Sequence, residues 1–153
     1  MIDEIIHLTN ELEPPGAPQP AEPPSWQVLV VDDDPEVHSI TRFVLHNLSI
    51  FGRSLRLLHA SNSQQARDCL HRHQDIAVAL LDVVMDTEQA GLELVRYIRE
   101  ELGLRECRLI LRTGQPGYAP ELRVIQTYDI NDYRTKAELT HTRLISTVST
   151  ALR

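Results

Sequence analysis

The sequence predicts an α/β fold, a doubly wound parallel sheet with helices on both faces. Three observations carry this. Val28–Val31 and Ile76–Leu81 are short all-apolar runs, as strands buried on both faces require. Segments with apolar residues at helical spacing separate the runs. The alternation persists to the end of the chain and gives five strands and five helices. Right-handed crossovers then leave few connections open.

The elements follow in order. After the first strand, Val28–Val31, Asp34-Pro35 reads as an N-cap followed by proline at the first helical position. Val37, Ile40, Thr41, Val44, Leu45 and Leu48 continue at helical spacing. Leu55–Ala60 is the second strand, Asn62–His73 a helix with a polar outer face, and Ile76–Leu81 the third strand, ending at Asp82. Leu92, Val95 and Ile98 mark a helix from Gly91 to Leu102. Arg108–Leu111 is the fourth strand, running out at Thr113, and Pro120–Gln126 a short helix. Ile130–Tyr133 is the fifth strand, and Leu139–Leu152 the closing helix with Leu144, Ile145, Val148 and Leu152 inward.

Six of the nine prolines lie between Pro14 and Pro24, which breaks helix and sheet and predicts an extended linker. The expected division is therefore an acidic, Pro-rich tail over 1–26 and one domain over 27–153. Ile2, Ile5, Ile6, Leu8 and Leu12 allow a short amphipathic helix, expected to fray as a terminus. With 22 acidic against 15 basic residues, the net charge of −7 argues against direct grip on nucleic acid or an anionic membrane. No apolar run is long enough to span a bilayer, and the start lacks a signal-peptide pattern, so a cytoplasmic protein is expected. Cys69 and Cys107 fit no disulfide framework or CxxC motif and read as small buried hydrophobes.

In open parallel sheets, ligands bind beyond the carboxyl ends of the strands. Those ends carry Asp32-Asp33-Asp34, Asp82, Thr113 and, three residues past the fifth strand, Lys136. Asp34 is explained as the helix cap. Asp32 and Asp33 directly follow a buried strand, where like charges 4 Å apart repel by about 4 kcal/mol at an effective dielectric near 20. With Asp82, such a cluster raises a pKa or recruits a cation, and hard carboxylate oxygens suit Mg²⁺. Lys136 is the chain's one lysine, beside fourteen arginines, and suits a single phosphoryl oxygen. Together these residues point to phosphoryl transfer, with Asp82 as nucleophile and Thr113 and Lys136 neutralising the phosphoryl oxygens.

The segments VLVVDDDPEV, ALLDVVM, GLELVRYIRE, LILRTG and DYRTK resemble the receiver domain of bacterial response regulators, similar to the chemotaxis response regulator. The resemblance covers Gln27 to Leu152 and implies a flavodoxin-like (βα)5 fold with strand order 2-1-3-4-5. It implies Asp82 as the phosphoacceptor, Asp33 as a direct Mg²⁺ ligand and Asp32 as one acting mostly through water. Val84 then matches the position whose backbone carbonyl completes the metal shell. Thr113 and Lys136 match the switch hydroxyl and lysine, and Tyr133 the aromatic switch. The implied donor is a phosphohistidine on a sensor histidine kinase or phosphotransfer protein, and the domain also catalyses loss of its own phosphoryl group. LRTGQPGYAPE and YDINDYRTKAELT look like receivers that precede a domain of unknown function and an HD-type phosphohydrolase module, which implies a C-terminal output domain in a longer chain. The fourth helix, fifth strand and fifth helix would present the switch. Arg123, Arg134, Arg143 and Asp132 could form charged contacts there across a homodimer.

Two departures from the family stand out. Lys136 is followed by Ala137 where the family has proline, which predicts either a cis bond or a trans bond with Lys136 aimed differently. Asp86 replaces the usual proline after Asp82, in a loop one residue longer, and reads as a solvated loop charge. Gly114, without a side chain, would leave the acyl phosphate accessible. His71 and His73 point apart on a helix and read as surface residues. Two other functions compete. A phosphorylation-independent pseudo-receiver would only bind partners. A haloacid-dehalogenase-like phosphatase would use Asp32 as nucleophile and Asp34 as acid/base, but beyond Lys136 only Glu138 could serve as its acidic metal ligand.

Overall fold

The computed structural model describes residues 24–114, 122–137, 139 and 141–153, with the side chains of 122–124 excluded. The expected tail helix and linker, Pro120 and Glu138 lie outside the described residues.

The sheet is built from β1 (Ser25–Val31), β2 (Ser49–Ile50), β3 (Arg53–Ala60), β4 (Ile76–Asp82), β5 (Arg108–Thr113) and β6 (Asp132–Thr135). The helices are α1 (Pro35–Leu45), α2 (Ser63–Arg72), α3 (Ala90–Arg96, continued by a π turn over Tyr97–Glu101), α4 (Leu122–Thr127) and α5 (His141–Ala151). The order is β2-β3-β1-β4-β5-β6. β3, β1, β4, β5 and β6 are parallel neighbours, which is the expected 2-1-3-4-5 arrangement of five strands.

Strand parity separates two cores. Leu29, Val31, Ala79, Leu81, Leu109 and Leu111 meet Ala66, Cys69 and Leu70 of α2 and Leu94, Val95 and Ile98 beside them. Val28, Val30, Val78, Leu80 and Ile110 meet Val44 and Leu45 of α1 and Leu144 and Val148 of α5. Both cysteines are free and buried, as expected of small hydrophobes. Asp34 caps α1 through its carboxylate, which accepts from the Glu36 N–H at 2.9 Å, with Pro35 in the first turn. Asn62 caps α2 by accepting from the Gln65 N–H at 2.8 Å.

Three details differ from the sequence reading. First, β2 adds a short antiparallel edge strand. It turns back into β3 through Phe51 and Gly52, both at positive φ (50° and 76°), the combination a two-residue hairpin turn needs. Second, the third helix is not α-helical throughout. After Arg96 it widens into one π turn, and Gly103 at φ 66° follows its end. Third, the last strand is Asp132–Thr135, not Ile130–Tyr133. Asp129 takes a left-handed φ of 52°, and the Ile130 N–H closes onto the Ile125 carbonyl at 3.0 Å. Asn131 then bonds Leu109 twice, accepting the Leu109 N–H on its side chain at 2.8 Å and donating its own N–H at 2.9 Å. Lys136 therefore follows the strand immediately instead of three residues later.

Candidate functional site

The first, third and fourth parallel strands (β1, β4 and β5) end side by side, and their parity decides what meets there. In the register Val30 faces Leu80, Leu80 faces Ile110, and Asp82 faces Arg112. Asp32, Asp82 and Arg112 thus continue the apolar row under α1 and α5. The row changes from apolar to charged within one step of the strand ends. Asp32 is fully buried and Asp82 is 3% exposed, while Asp33 is exposed. Carboxylate oxygens of Asp32, Asp33 and Asp82 lie within 4.8 Å of one another.

Lys136 closes the cluster. Its Nζ lies 3.0 Å from Asp32 Oδ2 and donates to Asp32 Oδ1 and Asp82 Oδ2, each at 3.2 Å. The backbone aims it: the Lys136 N–H donates to the Thr113 carbonyl at 2.7 Å, so β6 delivers the lysine beside the end of β5. The Lys136–Ala137 bond is trans, and the ammonium still reaches both carboxylates. Thr113 is buried at 1% exposure at the end of β5. Val84 is half-buried against the α2–α3 core, as is Tyr133 on β6.

These positions perturb each other. The Asp82 carboxyl is pushed up to about 7, first by burial and then by the Asp32 charge, with Lys136 opposing both. Burial disfavours the charged Lys136, but its hydrogen bond to Asp32 and the Asp32 and Asp82 charges outweigh this and raise its pKa. The donor set is three hard oxygens around one point, two of them buried, which fits a small divalent cation such as Mg²⁺.

Other residues singled out in the sequence stand apart. Asp34 accepts the Glu36 N–H as the helix cap and is not part of the carboxylate cluster. Asp86 accepts from Ser63 Oγ at 2.9 Å on the surface. Arg134 pairs with Asp132 of its own strand at 3.1 Å, and the Arg123 side chain lies outside the described residues.

Sequence reasoning missed three residues here. Gly91 packs so tightly that an added Cβ would lie 2.7 Å from Val83 Cα and closer still to the Asp82 carbonyl oxygen. Arg112, buried at 3% exposure, gave one signal, an arginine inside the apolar strand LILRTG. His38 is buried on α1. Its Nε2 donates to the Asp32 carbonyl at 2.8 Å, and its Nδ1 pairs with His59 Nδ1 at 2.7 Å.

A doubly wound sheet with clustered carboxylates and a lysine at its carboxyl edge defines the receiver class of signalling domains. The chain belongs to the response regulator receiver domain family, which matches residues 28–149. It is 52% identical over 128 residues to the 3'3'-cGAMP-specific phosphodiesterase 2 of Vibrio cholerae, a match covering 84% of this chain and 24% of that protein. The chain thus spans about a quarter of that relative's length. It is 29% identical over 110 residues to a chemotaxis protein CheY homolog of Campylobacter jejuni, covering 72% of this chain and 80% of that one. A signal receiver domain from Clostridium thermocellum superposes with a TM-score of 0.68 at 20% identity, over 84% of this chain and 98% of that one. The receiver domain of an HD domain-containing protein from Pseudomonas fluorescens Pf-5 gives a TM-score of 0.65 at 20% identity, over 84% and 95%. The chain is therefore a receiver domain of two-component signalling. Receivers of this family carry phospho-aspartate, generally bind Mg²⁺ at an acidic pocket, interact with histidine kinases and are often linked to output domains. Among the described residues no helix is long and apolar enough to cross a membrane.

Proposed function

We propose that Asp82 accepts a phosphoryl group from a phosphohistidine on a histidine kinase or phosphotransfer protein. The observation that carries this reading is the convergence of Asp32, Asp33, Asp82 and Lys136 on one point at the strand ends. A carboxylate oxygen of Asp82 forms the new O–P bond as the N–P bond breaks, and the departing imidazole takes up a proton. Asp32, Asp33, Asp82 and the Val84 carbonyl would hold Mg²⁺, whose charge favours the ionised Asp82 and offsets that of the phosphoryl oxygens. The Lys136 ammonium and Thr113 hydroxyl take the remaining oxygens.

Thr113 and Tyr133 are the switch residues in this reading. The face of α4, β6 and α5 presents the change to a partner, a second copy or an output domain. Residues 27–153 act as the receiver and 1–26 as its tail. The 52% identity to a cyclic-dinucleotide phosphodiesterase supports an output domain of that chemistry in a longer chain.

Intact mass after incubation with a small-molecule phosphodonor tests the proposal. It predicts a Mg²⁺-dependent gain of one phosphoryl group in the wild type, absent in Asp82→Asn. No gain in the wild type, with beryllofluoride also failing to bind, would establish the pseudo-receiver instead.

A further inference from the structure

Arg112 is the charged residue of this pocket that receiver chemistry leaves without a role. It faces Asp82 across β4 and β5, on the same side of the sheet as Asp32. Its Nη1 donates to Thr41 Oγ1 of α1 at 3.2 Å. Nε and Nη2 are buried and have no hydrogen-bond partner among the described residues. A buried cation with two idle donors is costly unless a nearby charge compensates it. Burial does disfavour the charged guanidinium, and Asp32 and then Asp82 oppose that effect. The compensation is thus the field of the acidic pocket rather than a formed ion pair.

The charge balance follows. With all three carboxylates ionised, the two cations Lys136 and Arg112 leave one net negative charge where Lys136 alone would leave two. Lys136 is partly exposed. Arg112 is held by Thr41 and enclosed beneath α1, so its charge stays.

We propose that Arg112 is a resident second cation of the phosphoacceptor pocket, which steadies the carboxylates when no metal is bound and weakens the pocket's hold on a divalent ion. This rests on the reading of the carboxylate cluster as a metal-assisted phosphoacceptor site. Arg112 acts here as a positioning residue, through its field on Asp32 and Asp82.

The test is Mn²⁺ binding to the 153-residue chain, followed by the electron paramagnetic resonance signal of free Mn²⁺. Wild type is compared with Arg112→Met, Arg112→Gln and Arg112→Lys. The neutral variants should bind Mn²⁺ about tenfold more tightly, and the lysine variant should stay within about threefold of wild type. The glutamine variant retains a donor for Thr41, so the comparison stands if the methionine variant does not fold. Equal affinity in all variants, or weaker binding in Arg112→Gln, overturns the proposal. So does failure of both neutral variants to fold, which would make the charge a requirement of folding alone. Absence of Mn²⁺ binding in the wild type is a separate result and overturns the reading of the site itself.

Discussion

At the scale of single residues, the site is set by close packing as much as by charge. Gly91 sits where any Cβ meets the backbone of Asp82 and Val83, and backbone cannot give way as a side-chain tip can. Gly91→Ala should destabilise the fold by about 1–3 kcal/mol in urea unfolding and slow phosphorylation of Asp82. At Gly114 the nearest atom to an added Cβ among the described residues is Lys136 Cδ at 3.9 Å, so Gly114→Ala should leave the unfolding midpoint unchanged. Two titrations oppose each other. Asp82 is raised from 3.8 to about 7, so the folded state keeps a proton that the unfolded state has lost, and stability falls as pH rises through that window. His59 is lowered from 6.5 to about 4, by burial first and then by His38, Arg42 and Arg112. Its contribution is present above pH 6.5 and is lost as pH falls towards 4. In metal-free buffer at pH 8, Asp82→Asn should raise Tm by about 4 °C, with little effect at pH 4. His59→Gln should flatten the acid side of the Tm–pH profile. An unchanged profile in both variants would contradict these assignments.

At the scale of elements, Arg99 shows how the irregular parts are held. From the π turn its Nε donates to the Tyr128 carbonyl at 3.0 Å, and its Nη2 to the Asp129 carbonyl at 2.8 Å. Its Nη1 donates to the carbonyl of Leu104. One side chain thus ties the end of the third helix to the turn that launches β6, which carries Tyr133 and leads directly into Lys136. Arg99→Met should destabilise the fold by about 2–3 kcal/mol in urea unfolding, where a surface arginine would cost almost nothing. The regular elements were legible because their causes are local: alternating apolar runs for strands, and Asp34-Pro35 and Asn62 for helix starts. The start of β6 was not, because Ile130 looks like a strand residue but is diverted by the left-handed Asp129 and the side-chain ladder bond of Asn131. The hairpin at Phe51-Gly52 was missed because the positive φ of a phenylalanine leaves no mark in sequence.

At the scale of the whole molecule, one sheet divides two apolar layers and gathers its charges at one edge. The convergence of Asp32, Asp82 and Lys136 was readable because strand ends in a parallel sheet come together wherever the strands lie in sequence. Arg112 and the His38–His59 pair were not, since their meaning depends on which face of the sheet they leave and which helix covers them. The central claim is that this edge directs phosphoryl chemistry to Asp82. Borohydride trapping of the phosphorylated chain tests it most directly, because it reduces an acyl phosphate to an alcohol and marks the aspartate that carried it. Peptide mapping should find homoserine at position 82 only, and only when Mg²⁺ was present. Homoserine at position 32, or none anywhere in a chain that had gained a phosphoryl group, would contradict the account.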